Sequence, residues 1–281
     1  MSDIKHRLSQ SLKSVDGFRW SPYLDEYLVE LSHDSALPQD KVLVRQVKMQ
    51  LIANQFRYPS WKLHDEIPSN WVDTLQLQLD EIISVTSGTS SEVGSELGFY
   101  HYTTLIIREW IKIKSPTPRN EPDLRRYQVY QRCLNSIKAW LEIFFAMPLH
   151  GYVNVPCSTY SQLCYVVLFL RQITTTRNTD YHPATAEEVI DPLQTMGRII
   201  QTFEQLKTVA AAQDPDSGED QALILGIKKF QLLKSTWYGD VVHPDKIQRV
   251  NQEAEMTGSA TESSSFVGFH MLPNMPDGII W

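Results

Sequence analysis

The chain has 281 residues, 42% of them hydrophobic, which is long for one domain, short for two, and enough to bury a sizeable core. Acidic residues (33) outnumber basic ones (26), the net charge is −7, and no cluster of Lys and Arg stands out, a balance that argues against a free-standing nucleic-acid binder. The three cysteines, Cys133, Cys157 and Cys164, form no CxxC pair and lie in apolar surroundings, as expected of reduced intracellular thiols rather than a disulfide framework.

The opening "MSDIKHRLSQSLK" lacks the apolar centre of a signal peptide, and Lys5, Arg7 and Lys13 are too sparse for a basic patch. Asp25, Glu26 and Glu30 beside Tyr27 read as a wet helix face. Pro38, Gln39 and Asp40 start the next helix and Pro59 follows its end, with Leu43, Val47 and Leu51 on one face. Ser69 before Trp71 starts another, whose face is Leu75, Leu79 and Ile82. Its "LQLQL" alternates like a strand, but it is short and embedded in a helix-length segment. "SVTSGTSSEVGSELG" (84–98) reads as a Ser/Gly-rich loop leading into a helix.

"FYHYTTLIIREWIKIK" (99–114) puts Tyr102, Ile106 and Ile113 on one side, with Leu105 and Trp110 beside them. "SPTPRNEPDL" breaks the chain, and Arg119, Arg125, Arg126 and Arg132, mixed with Glu121 and Asp123, read as a solvated face. Leu134, Ile137, Leu141 and Phe144 follow at helical spacing until Pro148. Leu163, Val167 and Leu170 mark the next helix. Neither apolar run of 139–170 suits a membrane span, which needs about 20 mostly apolar residues. The second ends at Arg171 and Gln172, and the first carries Lys138 and Glu142.

"TTTRNTDYHP" is a loop, 184–212 a helix interrupted near Asp191 and Pro192, "QDPDSGED" an acidic loop, and 222–237 a further helix. The expectation is an all-α domain of about eight to ten helices over residues 1–250, with a flexible acidic and aromatic tail over 251–281.

No catalytic motif emerges. There is no GxSxG turn, GxGxxG loop or GxxxxGK[ST] loop, and the glycines of "GTSSEVGSELG" have no following Lys. His64, Asp65 and Glu66 are adjacent and cannot all point one way, so they read as an exposed turn. His101, between Tyr100 and Tyr102, reads as a packed histidine rather than a ligand. Cys157 at a helix start is placed for a lowered pKa, but a small buried residue is the preferred reading for it and for Cys164. Nothing brings together Glu109, Glu142 and Glu204 as an acid–base pair. The seven tryptophans are core fillers first.

The order of segments carries more information than any one residue. "LGFYHYTTLIIREW" followed by "CLNSIKAWLEIFFAMPLHGYVNVPCSTYSQLCYVVLFLRQIT" resembles the regulatory region of fungal binuclear zinc-cluster transcription factors. Tyr102 and Glu109 match that family's aromatic–histidine helix. Cys133, Ala139, Phe144, Phe145 and Pro148 match its next helix. Tyr160 stands where the family usually has Trp, followed by Gln162, Leu163, Tyr165 and Leu170. The resemblance covers about residues 30 to 240.

It implies an all-helical regulatory module, nuclear or shared between nucleus and cytoplasm. Such a module works through proteins of the transcription machinery or a related transcription factor, with a small-molecule effector, and homodimerisation is an accompanying expectation. The family's six-cysteine, two-zinc DNA reader has no matching position here, so no cofactor is expected, and zinc only with an upstream module. Direct DNA binding is not expected of this chain alone.

His101, Tyr102, Phe144, Phe145, Tyr152 and Tyr160 are the candidate pocket residues. Residues 253–281 are acidic without Lys or Arg, and Phe266, Phe269, Leu272 and Trp281 make a candidate partner-docking tail. The competing readings are a small-molecule enzyme that reuses the helical scaffold and a dimerisation or scaffold protein.

Overall fold

A computed structural model describes residues 21–33, 37–57, 69–84, 90–114, 124–153, 155–175, 189–213 and 221–242. Among these residues every regular element is an α-helix. In chain order they are α1 (Pro22–Leu31), α2 (Pro38–Arg57), α3 (Ser69–Ser84), α4 (Ser90–Lys114), α5 (Leu124–Ala146), α6 (Leu149–Val153), α7 (Cys157–Thr175), α8 (Pro192–Gln213) and α9 (Gln221–Val242). None of them is long and apolar enough to cross a membrane. The chain divides into two compact units, one of residues 21–192 and one that contains α8 and α9.

The first unit is organised around α4, which packs against α2, α3 and α5. This explains its sequence. A helix with neighbours on several sides buries more than one stripe. Leu105 and Ile107 are fully buried, and Thr103, Thr104 and Arg108 are buried with them. The single face of Tyr102 and Ile106 is therefore corrected, since both are only half-buried. The Ser/Gly-rich segment is corrected as well: its second half, from Ser90, already belongs to α4. Gly98 there faces α5, where a Cβ would stand 3.8 Å from Trp140 Nε1.

Asp40 begins α2 by accepting a hydrogen bond from the Leu37 amide at 3.1 Å, the reach-back of a helix-start carboxylate. The α2 face differs from the expected one by a step. Val44, Met49, Ile52 and Ala53 are buried, whereas Leu43 is 49% exposed. The helix is apolar on more than one side, so a four-residue recurrence alone does not pick the inner one. Met49 and Ile52 meet Val72, Leu75 and Leu79 of α3 and Ile107 of α4 in one cluster. "LQLQL" lies in a regular helix, as expected, and its Leu77 is exposed. α1 buries no residue, consistent with a wet face.

α5 buries Leu134, Ile137, Leu141 and Phe144, and packs against α4 and α7. α7 buries Leu163, Val167 and Leu170 as its spacing predicts. Each such side chain contributes about 1.5–3 kcal/mol by leaving water. Cys133 is buried, but Cys164 is exposed on α7, which corrects the buried reading for that residue.

Val189 is helical whereas Ile190 and Asp191 are not, and α8 starts at Pro192, so the interruption expected near Asp191 and Pro192 is present. α8 buries Met196, Ile199, Phe203 and Leu206, and α9 buries Ile227, Phe230 and Trp237. Phe203 meets Phe230 with ring centroids 5.5 Å apart, and Gly197 faces Lys234. The two helices therefore run antiparallel. Residues 251–281, with Phe266, Phe269, Leu272 and Trp281, lie outside the described residues, as do His64, Asp65 and Glu66.

Candidate functional site

Two constellations rise above ordinary packing, one at the bend from α5 through α6 to α7, the other at the seam of α3 and α4. At the bend, Met147 and Pro148 end α5, and the short α6 turns the chain into α7. Phe144 stacks on Trp140, one turn earlier, with centroids 5.4 Å apart and planes 13° from parallel. Its edges meet Phe145 at 5.6 Å and Tyr152 at 5.1 Å. Edge-to-face pairs of this kind add about 0.5–1.5 kcal/mol beyond area burial.

The polar tips of this group are tied to backbone and side chain. The Tyr152 hydroxyl donates to the Phe144 carbonyl at 2.6 Å. The Tyr160 hydroxyl donates to the Tyr152 carbonyl at 2.7 Å. Trp140 Nε1 donates to Gln162 Oε1 on α7 at 3.3 Å. Phe144, Phe145, Tyr152 and Tyr160 thus converge. Phe144 and Tyr152 are buried, whereas Phe145 and Tyr160 remain partly accessible.

His101 and Tyr102 sit on α4 with neighbours of their own. Tyr102 sets its edge on Tyr165 of α7 at 5.3 Å, and Tyr165 stacks on Phe169 at 6.0 Å. His101 sets its edge on Tyr100 at 5.1 Å. Its Nδ1 is buried without a hydrogen-bond partner, and burial lowers its pKa from 6.5. His101 is therefore a packed histidine held toward its neutral form.

The seam of α3 and α4 was not anticipated. Tyr100, Thr104 and Arg108 recur every four residues, so they share one face of α4. That face meets Gln76 and Asp80, spaced by four on α3. Tyr100 donates to Asp80 Oδ1 at 2.8 Å, and Gln76 Nε2 donates to the same oxygen at 2.8 Å. Arg108 Nη2 donates to Gln76 Oε1 at 3.2 Å. Burial and then the bond to Asp80 push the Tyr100 hydroxyl up to about 12. Burial, and then the nearby Arg132, lower the pKa of Arg108. The signal for this seam was present as matched polar spacing, but a reading tuned to apolar periods passes over it.

A second polar link joins α2 to α4. Arg45 donates to Glu96 Oε1 through Nε at 2.9 Å and also through Nη2. Glu96 is fully buried, and its Oε2 has no hydrogen-bond partner. Glu142 and Glu204 are exposed. Among the described residues, no three His, Cys, Asp or Glu side chains converge as a metal site requires.

Comparison with known proteins adds the following. A curated protein of Aspergillus terreus named "Transcription factor" is 21% identical over 220 residues, covering 70% of this chain and 37% of that protein. "Transcription factor opdL" of Penicillium oxalicum is 20% identical over 237 residues, covering 82% of this chain and 42% of that protein. The chain is thus distantly related to fungal proteins named transcription factors, and spans about two fifths of the length of these two. No family model matches the chain, and no solved structure matches it.

Proposed function

We propose that this chain is the regulatory part of a fungal transcription regulator. The observation that carries this reading is the similarity to two curated fungal transcription factors across 70% and 82% of the chain. The all-helical core is in keeping with it. So is the order of the aromatic–histidine helix, the "IFFAMP" helix end and the "TYSQLCY" helix, which supports the tie to the zinc-cluster family.

In this reading the module works in the nucleus. It relays a signal to protein partners of the transcription machinery, and DNA is read by another segment or another protein. The aromatic bend fits a small-molecule sensor in one respect: Phe145 and Tyr160 stay partly accessible beside a pinned, buried Phe144–Tyr152 pair. An apolar effector settling there would act on the turn between two core helices. Tethering tests the proposal: fused to a foreign DNA-binding domain, the chain is expected to change reporter output, and unchanged output would count against it.

A further inference from the structure

Arg108 is 4% exposed, on a helix with neighbours on several sides. A guanidinium carries five N–H donors and stays charged, so a buried one is normally paired with a carboxylate or fully hydrogen-bonded. Here Nη2 donates to Gln76, while Nε is buried with no partner. Among the described residues, the carboxylate that acts on Arg108 is Asp73, which makes no hydrogen bond to it. One turn earlier on the same face, Thr104 is 5% exposed, and its Oγ1 is buried with the Tyr100 hydroxyl near enough to act on but no well-formed hydrogen bond.

An unpartnered guanidinium N–H and an under-used hydroxyl on one face of one helix call for a common explanation, and an unseen polar occupant is the economical one. A guanidinium N–H can only donate, so the occupant must present an acceptor to Nε. Arg132, exposed on α5, lies near enough to act on Arg108 and carries the same sign, while Asp73 on α3 acts on it with the opposite sign. Asp80, the carboxylate of the seam, is already committed to Tyr100 and Gln76.

We propose that the seam of α3 and α4 takes a small carboxylate- or phosphate-bearing molecule, held by Arg108 Nε and the Thr104 hydroxyl, with Arg132 at its outer edge. A carboxylate or phosphate matches the planar donor fork of arginine. The seam joins the helix that carries His101 and Tyr102 to α3, so occupancy would tighten the centre of the first unit. The inference rests, for its biological meaning, on the sensing part of the proposed function. Binding itself is read on the purified chain, so its failure leaves the tethered-reporter result untouched.

The test is thermal melting of the full chain in inorganic phosphate, succinate or chloride at matched ionic strength. Phosphate or succinate should raise the wild-type Tm above chloride in a saturable way, as a ligand of the folded state does. The arm that works identifies the anion class. Arg108→Met should abolish the increment, and Thr104→Val should weaken apparent affinity about tenfold, the worth of one hydrogen bond to a charged group. Equal Tm in all three salts overturns the proposal, and so does an increment that survives both substitutions. If Arg108→Met does not fold, Thr104→Val decides: weakened binding supports the site, and unchanged binding overturns it.

Discussion

The Tyr152 hydroxyl donates to the Phe144 carbonyl at 2.6 Å, and so closes the end of α5 onto α6 across Pro148. The last carbonyls of a helix lack intrahelical partners. Phe144 O has this phenol and a longer bond from the Met147 amide at 3.3 Å. Tyr160 repeats the arrangement one step on, donating to the carbonyl of Tyr152.

Tyr152→Phe keeps the ring that packs edge-on against Phe144 and removes only the hydroxyl. The expected cost is about 1–2 kcal/mol, since a buried acceptor loses its short bond. Urea denaturation reads it as a lower midpoint at unchanged slope. An unaltered midpoint would mean that the bend is held by packing alone.

Arg45 and Glu96 predict an asymmetry. Arg45→Met leaves a buried carboxylate without its cation and should cost about 3 kcal/mol, in the range for breaking a buried pair. Adding Glu96→Leu should return much of that loss, because the uncompensated charge goes with it. A double-mutant cycle measures the coupling, and strictly additive single effects would contradict the pairing.

Tyr100 gives a stability change at high pH. Its folded pKa, about 12, lies above the ordinary tyrosine value of 10.0, so the folded state holds the proton more tightly. The contribution is complete below pH 10 and is lost as pH rises toward 12. Denaturation midpoints across this window should fall more steeply for wild type than for Tyr100→Phe. Parallel curves would refute the half-buried Tyr100–Asp80 bond.

His101 works in the opposite direction. Burial depresses its pKa below 6.5, so the unfolded chain takes up the proton first. Its contribution to stability is complete above pH 6.5 and is lost as pH falls below it. His101→Leu should flatten this acid slope, and NMR titration of the imidazole should give a midpoint under 6.5. A midpoint at or above that value would show an accessible histidine.

The fold was legible wherever a helix has one inner face and clear punctuation. Ser69 to Ile82 and Leu134 to Phe144 declare themselves helical because their apolar residues recur at helical spacing between breakers. The centre was not legible in the same way. α4 is surrounded, so Thr103, Thr104 and Arg108 are as buried as Leu105, and no single stripe marks its inside. The glycines at 94 and 98 suggested a loop, yet they lie within the helix, which tolerates them at a modest propensity cost.

The candidate site divides along the same line. Phe144, Phe145, Tyr152 and Tyr160 sit within one short stretch, and local geometry brings them together. His101 and Tyr102, adjacent on α4, meet different neighbours, a divergence that follows from the 100° step between successive helical residues. The bonds from Arg108 to Gln76 and from Arg45 to Glu96 span 32 and 51 residues, and only the packing of three helices reveals them.

The central claim is a role in transcription, and the most direct measurement is the tethered reporter in a fungal host. The full chain, fused to a foreign DNA-binding domain, is compared with that domain alone and with a fusion carrying Leu134→Asp, which disrupts the buried face of α5. The account predicts that the intact fusion raises or represses the reporter and that the core-disrupted fusion loses the effect. Output equal to that of the DNA-binding domain alone, from an intact fusion present in the nucleus, would contradict it.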